Sequence, residues 1–155
     1  MAIYTIGNPL LRQKAAEVAD PRDPELAVLV DNMLTTMLVS DGVGIAAPQI
    51  GQSLRLVIIA SRPNPRYPEA PVMEPVIMVN PEIVSRSSEL EEGLEGCLSV
   101  PGDKMLVMRY QTVEVCWCDL EGRSHQHGFS GFAARIVQHE VDHLNGILFP
   151  DRAGC

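Results

Sequence analysis

The sequence predicts an α+β fold of mainly antiparallel β-sheets, with an amphipathic helix near the N-terminus and a second helix near the C-terminus. Apolar residues recur at helical spacing over residues 24–40 and again after residue 130. Short apolar or alternating segments fill the middle of the chain, so strands and helices are segregated. Since no internal repeat or linker interrupts the 155 residues, we expect one domain over residues 1–155.

Composition excludes several broad classes of protein. Apolar residues make up 46% and charged residues 21% of the chain, as in ordinary globular proteins. The net charge of −8 argues against direct nucleic-acid binding, which needs a cationic surface. No apolar run approaches the ~20 residues that span a bilayer, and the N-terminus does not resemble a signal peptide. We therefore expect a cytoplasmic protein without membrane contact, whose four cysteines are reduced.

The first helix is predicted over residues 24–40. Asp23 supplies an N-cap, Pro24 fits the first turn, and Glu25 places negative charge at the positive end of the helix dipole. Gly42 is expected to end the helix in the left-handed conformation. One face carries the apolar residues Leu26, Leu29, Val30, Met33, Leu34, Met37 and Leu38.

Three segments in the middle of the chain are predicted as strands: residues 54–60, 76–80 and 112–120. The first two are short apolar runs. Pro81 is expected to end the second, because proline has no N–H to donate to a sheet. The third alternates between apolar and polar residues, and a hairpin turn is predicted at the following Glu121 and Gly122.

Glycine and proline predict the loops. Residues 42–52 hold three glycines and should form a loop or a bent extended segment. Residues 62–75 hold five prolines and should form an exposed loop. Pro101 and Gly102 are expected to form a turn.

The C-terminal helix is predicted between Ser130, which can cap it, and Asn145-Gly146, which can end it. Steps of four, three and four place two apolar residues and two histidines on one face: Phe132, Ile136, His139 and His143. Two imidazoles on an apolar face need partners, because burying an unsatisfied polar group is costly.

The two histidines indicate a metal site. Residues 139–143 read H-E-x-x-H, and histidines at i and i+4 can bind one ion. Glu140 can take a proton from a water molecule at that ion. The alternative is a helix with two exposed histidines and a solvated acid. A site of this kind needs a third ligand.

The third ligand is expected upstream, since the short tail after His143 offers only Asp151 and Cys155. Cys97 stands out because EGCLSVPG places it between glycines and a proline. The other candidates are less favoured. Cys116 and Cys118 alternate within a strand and suit ordinary packing, and His125 and His127 suit an exposed strand end.

Three stretches resemble the signature motifs of the peptide deformylase family, in the family's order. GVGIAAPQ resembles G-x-G-L-A-A-x-Q, EGCLS matches E-G-C-L-S, and QHEVDHLNG resembles Q-H-E-x-D-H-L-x-G. Ile45 stands where leucine is usual, a volume-conserving change. The resemblance spans nearly the whole chain, and it extends the predicted fold to β-sheets packed around a metal-binding C-terminal helix.

The resemblance implies that Cys97, His139 and His143 bind one divalent metal ion, with water in the fourth position. Three protein ligands and an open position are typical of a catalytic metal. The family works with Fe²⁺, so Fe²⁺ is the expected native ion, and Zn²⁺, Ni²⁺ or Co²⁺ can occupy the purified protein.

The resemblance also implies hydrolysis of the N-formyl group from the initiating methionine of new polypeptides, with release of formate. Glu140 would act as the base, and the Gln49 side chain and the Leu98 backbone N–H would stabilise the oxyanion. Substrate would lie extended along Val43 and Gly44.

Other residues around this site carry separate expectations. Phe132, Ile136 and Val43 are expected to form the wall of a methionine pocket, although Phe132 and Ile136 also suit plain core. Asp142, a partly buried acid, is expected to pair with Arg109. Gln138 is expected to brace either the first-motif loop or the Cys97 segment.

The expected partners are formylmethionyl nascent peptides. The protein is expected to be a monomer that comes into transient proximity to the ribosome. Many bacterial members carry a C-terminal helical extension that serves ribosome docking in some, and this sequence shows none. Residues 62–75 resemble an insertion of some subclasses, a surface loop near the substrate cleft. Rival functions are a metallopeptidase that cuts internal bonds and a silent paralogue that binds without turnover.

Overall fold

The computed structural model describes residues 2–153, apart from the side chain of Asp103. Two α-helices flank or follow the strands: α1 (Pro24–Val39) and α2 (Gly131–Leu144). The strands are β1 (Gly44–Ala46), β2 (Leu56–Ile59), β3 (Val76–Arg86), β4 (Leu90–Cys97), β5 (Val100–Tyr110), β6 (Thr112–Cys118) and β7 (Ser124–Ser130). Short 3₁₀ helices cover Pro9–Arg12, Ala47–Ile50 and Phe149–Asp151.

All strand pairs are antiparallel, which confirms the predicted fold class. Five strands form one sheet in the order β1-β2-β3-β6-β7, and β4 and β5 form a separate hairpin. Strand β1 is therefore at an edge of the larger sheet, with one side unpaired by any described strand. That free side becomes important at the cleft.

The two helices pack on opposite faces of the larger sheet. Successive residues of a strand point to opposite faces. In β2, Leu56 and Ile58 pack in the cluster that includes α1, whereas Val57 and Ile59 pack in the cluster that includes α2. Strand β2 is consequently buried on both faces, which explains why its sequence is uniformly apolar rather than alternating.

The ends of α1 show one correct prediction and one wrong one. Asp23 caps the helix as predicted, accepting a hydrogen bond from the Glu25 N–H at 3.0 Å. The left-handed residue at the C-terminal end is Asp41, with φ 57°, and not Gly42. Gly42 is needed for space instead, because a Cβ there would lie 3.0 Å from the Met37 side chain and 3.2 Å from Leu98.

Strand β3 continues through Pro81, so the prediction that proline ends it is wrong. Asn80 adopts φ 52°, and the pairing register with β6 shifts between Val79 and Glu82. A bulge at this point tolerates proline, because no ladder hydrogen bond is required of it. Asn80 is held in place by two side-chain hydrogen bonds to the backbone of Val18, at 2.8 and 3.0 Å.

The β4–β5 hairpin differs most from the prediction. Its turn is Leu98-Ser99, because Cys97 pairs directly with Val100. Pro101 and Gly102 lie inside β5 rather than in a turn. The other predicted strands are present with shorter bounds, and Gly122 has the positive φ of the predicted hairpin turn.

Helix α2 lies where the sequence predicts it. Ser130 is the N-cap residue by position, but its side chain makes no capping hydrogen bond. Asn145 ends the helix and Gly146 follows with φ 75°, as predicted. Every residue from Ala134 to Leu144 is buried, so this helix is the centre of the molecule. Within residues 2–153, no helix is both long and apolar enough to cross a membrane.

Candidate active site

Three side chains from two elements converge at one buried point. Cys97 is the last residue of β4, and His139 and His143 lie one turn apart on α2. Their ligand atoms all lie within 4.8 Å of one another, and Sγ of Cys97 is 3.3 Å from Nε2 of His143. Among the described residues, this is the one such group of potential metal-binding side chains.

The donor set fits a divalent transition-metal ion. Donors around a tetrahedral ion with ordinary bond lengths lie roughly 3.4–3.6 Å apart, close to the observed separation of Cys97 and His143. Within the described part of the chain, Oε1 of Glu140 is a buried atom without a hydrogen-bond partner. A soft thiolate with two imidazoles suits iron, zinc, nickel or cobalt.

The thiol is prepared for binding a cation. Burial opposes ionisation of Cys97, but the charges of His143 and His139 outweigh it and hold the pKa of this thiol well below its ordinary value. The thiolate is the form of cysteine that binds metals, and a bound ion would replace the two histidine protons as the positive charge beside it.

A buried acid, Glu95, orients His139. Its carboxylate accepts a hydrogen bond from Nδ1 of His139 at 2.9 Å, which leaves the opposite ring nitrogen for an ion. It also accepts two bonds from Arg109, each 2.8 Å, and one from Arg135 at 2.7 Å. Burial opposes the charge, yet the bonds from Arg109 and His139 hold the pKa of Glu95 well below its ordinary range.

Glu140 lies beside the three donors, at the bottom of a cleft. Burial raises the pKa of its carboxyl to about 7, although the neighbouring His139 and His143 act to lower it. A Cβ at Gly44 would lie 2.7 Å from Oε2 of Glu140, so the glycine is required where β1 meets α2. A carboxyl near neutrality that touches the cleft is suited to proton transfer.

Gln49 approaches from the other side. Its Oε1 accepts a hydrogen bond from the Ala46 N–H at 2.8 Å, which fixes the orientation of the amide. Nε2 then points to Sγ of Cys97 at 3.5 Å and to Oγ of Ser99 at 3.1 Å. A fixed amide donor next to Cys97 can stabilise negative charge on a reacting oxygen.

The cleft above these residues is partly open to solvent. All four predicted substrate-binding residues line it, namely Val43, Gly44, Phe132 and Ile136, and so does Leu98. Ile136 also belongs to the hydrophobic core, so its predicted roles as a pocket wall and as a core residue are compatible.

The edge of β1 faces this cleft. The Ala60 N–H donates to the Val43 carbonyl at 2.9 Å, so Val43 is a hydrogen-bonded position of the β1–β2 ladder. Because an antiparallel ladder alternates, the N–H and C=O of Gly44 point away from β2. They are therefore directed to the free side, where an extended peptide can pair with them.

The predicted pair of Arg109 and Asp142 is present, with Nη1 and Oδ2 2.6 Å apart. Arg109 also binds Glu95, and Glu95 in turn binds His139. The pair is therefore connected through Glu95 to His139 rather than to His143. Arg152 adds two bonds to Asp142, at 3.0 and 3.1 Å.

The expectation for Gln138 is wrong in both its alternatives. Its side-chain amide binds the backbone N–H and C=O of Tyr110, at 3.0 and 2.8 Å. It therefore braces the end of β5 and contacts neither the first-motif loop nor the Cys97 segment. The contact satisfies the hydrogen-bonding groups of the buried Gln138 amide and of the Tyr110 backbone at the end of the strand.

The less favoured candidates for the third ligand lie elsewhere. Cys116 and Cys118 are half-buried free thiols on β6. His125 and His127 are exposed on β7, as predicted for a strand end. Asp151 forms an ion pair with Arg12 at 2.6 Å, and Cys155 lies outside the described residues.

Comparison with known proteins identifies the family. The family model for polypeptide deformylase matches residues 1–154. The chain belongs to the peptide deformylase family. Peptide deformylase 2 of a Nostoc species is 53% identical over 152 residues, which are 98% of this chain and 85% of the relative. Peptide deformylase 2 of Shewanella oneidensis is 49% identical over 153 residues, 99% and 84% of the two chains.

Solved structures agree. The Met-Ala-Ser-bound crystal structure of class I type b peptide deformylase from Acinetobacter baumannii is similar with a TM-score of 0.95 and 51% identity, covering 98% of this chain and 97% of that one. The predicted activity is thus confirmed: this deformylase removes the N-formyl group from newly synthesised polypeptides. Like its family, it is a metalloenzyme.

Sequence reasoning missed several residues of the deformylase site. The main one is Glu95, and a signal for it exists: residues i and i+2 of a strand share a face, so a strand that buries Cys97 also buries Glu95. Arg135 and Tyr67 were missed as well. Arg135 lies one turn before His139 on the same side of α2, so helical spacing is a signal for it. Tyr67 lies in the proline-rich segment, where no periodicity marks it. That segment is less exposed than predicted, since Tyr67 lines the cleft.

Proposed function

We propose that Cys97, His139 and His143 hold the catalytic metal of this deformylase and that Glu140 moves the protons of the reaction. The observation that carries the proposal is the convergence of three donor atoms within 4.8 Å beside a buried carboxylate at the base of a cleft. We propose Fe²⁺ as the native ion, with Zn²⁺, Ni²⁺ or Co²⁺ as possible replacements in purified protein. The bound ion would polarise the formyl carbonyl and lower the pKa of a water molecule.

Glu140 takes a proton from the attacking water and returns it to the leaving amine. Its burial supports both steps, because a pKa near 7 lets one carboxyl accept and release a proton near neutral pH. Negative charge that develops on the formyl oxygen is stabilised by the Gln49 amide and the Leu98 backbone N–H. Glu95 holds His139 in the orientation that the ligand role requires.

The substrate binds as an added strand. Gly44 offers an unpaired N–H and C=O on the free edge of β1, and peptide backbones pair readily with such an edge. The methionine side chain then enters the apolar part of the cleft, between Val43, Phe132 and Ile136. Arg109 and Asp142 support the site from beneath by joining α2 to Glu95.

The substitution Glu140→Gln tests the base role. The variant should retain its metal and lose turnover of formyl-Met-Ala-Ser by about 10²–10⁴-fold or more, the usual range for a lost general base. Formate release is measured together with elemental analysis of the same anaerobically purified sample. Near-normal turnover with full metal content would exclude Glu140 as the base.

The substitution Cys97→Ser tests the ligand role. Metal content and affinity should fall, because a serine hydroxyl does not replace a soft thiolate ligand. Cys118→Ser is the matched control, since that thiol lies away from the site. Unchanged metal affinity in Cys97→Ser would remove Cys97 from the site. An unblocked peptide assayed beside formyl-Met-Ala-Ser distinguishes deformylation from cleavage of internal bonds.

We further propose that this single-domain enzyme works as a cytoplasmic monomer, in transient proximity to the ribosome. Formylated N-termini appear as chains leave the ribosome, which supports that location. Light scattering of the metal-loaded enzyme tests the monomer, and a mass twice that of the chain would contradict it.

A further inference from the structure

Two cations at the mouth of the cleft share one aromatic ring. Nζ of Lys104, on β5, lies 3.9 Å from the ring centroid of Tyr67, and Cζ of Arg66 lies 5.6 Å from it. Arg66 and Tyr67 come from the proline-rich segment 62–75. Two segments far apart in sequence thus bring like charges together.

Within the described side chains, no acid neutralises either cation. Among the side chains that the structure describes, no carboxylate lies within ion-pair distance of Arg66 or Lys104. Lys104 donates to the backbone carbonyl of Arg66, which leaves further N–H donors free. The chain has 20 acidic and 12 basic residues, so a shortage of acidic residues does not explain why these two cations lack a described ion-pair partner. Partial burial and the charge of Arg66 lower the pKa of Lys104, as expected for cations held together without an anion.

The pair lies next to the catalytic strand. The Tyr67 hydroxyl accepts a bond from the Gly96 N–H at 2.9 Å and donates to the Gly96 carbonyl at 3.2 Å. A Cβ at Gly96 would lie 3.0 Å from Nη2 of Arg66 and 3.2 Å from Cγ of Lys104. The missing side chain therefore lets both cations approach the backbone one residue from Cys97.

The pair is also continuous with the cleft. Arg66 and Tyr67 line the cleft that contains Glu140. Tyr67 and Phe132 also line an adjoining groove that reaches Lys104. A peptide that leaves the catalytic end of the cleft toward this groove passes the cations.

We propose that Arg66 and Lys104 form a subsite for a carboxylate of the substrate, two or three residues after the formylmethionine. The proposal rests on the proposed function and names a preference within it. An extended chain advances roughly 3.3–3.6 Å per residue, so these positions lie roughly 7–10 Å beyond the methionine. Peptides supply carboxylates from aspartate, glutamate or a chain end, and the arginine fork and lysine ammonium both bind such groups.

Two peptides of nearly equal shape test the subsite: formyl-Met-Ala-Asp-amide and formyl-Met-Ala-Asn-amide. The metal-loaded enzyme should show a higher kcat/KM for the aspartate peptide, by roughly threefold to tenfold, as expected for two partly exposed ion pairs. The ratio should fall as salt is raised to about 0.5 M, because salt screens exposed charges. Formyl-Met-Ala with a free or amidated end shows whether a chain terminus is taken as well.

Variants assign the effect to the two residues. The double substitution Arg66→Gln with Lys104→Gln should bring the ratio of the two kcat/KM values to about one. The matched control is Lys14→Gln, an exposed lysine away from the cleft, which should keep the ratio. Wild-type enzyme that turns over both peptides equally would overturn the subsite while leaving the proposed function intact.

Two other results are also decisive. A preference that survives in the double variant would overturn the assignment to Arg66 and Lys104. Inhibition by formate that the double variant relieves, with no preference between peptides, would overturn it too, since the cations would then bind the product. No turnover of any formylated peptide would overturn the proposed function and the subsite with it.

Discussion

Replacing Glu95 by glutamine should destabilise the protein severely, although the two side chains have nearly the same shape. The Glu95 side chain is 4% exposed and lies against Arg109, which is equally buried. It accepts bonds from two guanidinium groups and one imidazole, at 2.7–2.9 Å. The substitution removes the negative charge and leaves both guanidinium groups buried without it.

The magnitude follows from the cost of breaking a buried ion pair, which is about 3–5 kcal/mol when one partner is removed. An unfolding entropy of about 2.1 cal/mol/K per residue gives about 0.33 kcal/mol/K for the 155 residues of this chain. The melting temperature should therefore fall by about 9–15 °C at pH 7. Metal affinity should fall by about 10- to 100-fold, because His139 loses the acceptor that orients it.

Differential scanning calorimetry of the metal-loaded and metal-free proteins measures the stability effect. Glu92→Gln is the matched control, since Glu92 lies on the same strand and is exposed; its melting temperature should change by less than about 2 °C. A melting temperature of Glu95→Gln within that same margin would refute the reasoning, because the buried charge would then contribute nothing.

The contribution of Glu95 to the free energy of unfolding should depend on pH. The folded-state pKa of Glu95 lies below its ordinary value of 4.5, so the carboxylate stabilises the fold fully above that value. Its contribution is lost as the pH falls toward the folded-state pKa. The difference in stability between wild type and Glu95→Gln should thus narrow as the pH falls below 4.5.

Two further predictions follow from close contacts. Gly44→Ala should lower kcat/KM of deformylation by about 10²-fold with the fold retained by circular dichroism, because its Cβ would lie 2.7 Å from both Glu140 and Ile136; activity near that of wild type would contradict the tight fit. The hydrogen bond from His125, with smaller contributions from the backbone N–H groups of Arg123 and Glu121, lowers the pKa of Asp119 to about 2. Carboxyl NMR titration should therefore show His125→Gln raising that pKa part of the way toward 3.8. The stabilisation by this pair is present above pH 3.8 and lost as the pH falls toward 2, and an unchanged Asp119 pKa in the variant would exclude the bond.

Local signals predicted well where one short segment decides the structure. The cap at Asp23 and the helical face that carries His139 and His143 depend on neighbours within one or two turns, and both predictions are confirmed. Strand ends depend on partners far along the chain. Pro81 stays inside β3 because the bulge at Asn80 accommodates it, and the sequence around it contains no sign of the β6 pairing.

The three proposed metal donors can be predicted from the sequence, whereas the residues that support them cannot, for a similar reason. The sequence predicts no strand around Cys97, so it gives no occasion to apply the alternation that puts Glu95 on the same face as Cys97. The partners of Glu95 are 14, 40 and 44 residues away in the chain. No periodicity within a strand identifies such distant partners. Their hydrogen bonds to Glu95 explain why Arg109 on β5 and Arg135 on α2 are buried although they are charged.

Burying a group of charged side chains costs desolvation free energy, and apolar side chains of similar volume often stabilise a fold as well or better. Apolar side chains could not accept the Nδ1 proton of His139, however, and that bond selects the ring nitrogen that faces the other donors. Arg109 binds both Glu95 and Asp142, so it joins the strand that carries Cys97 to the helix that carries the histidines. The relative position of the three proposed donors is therefore set by the protein's own charges.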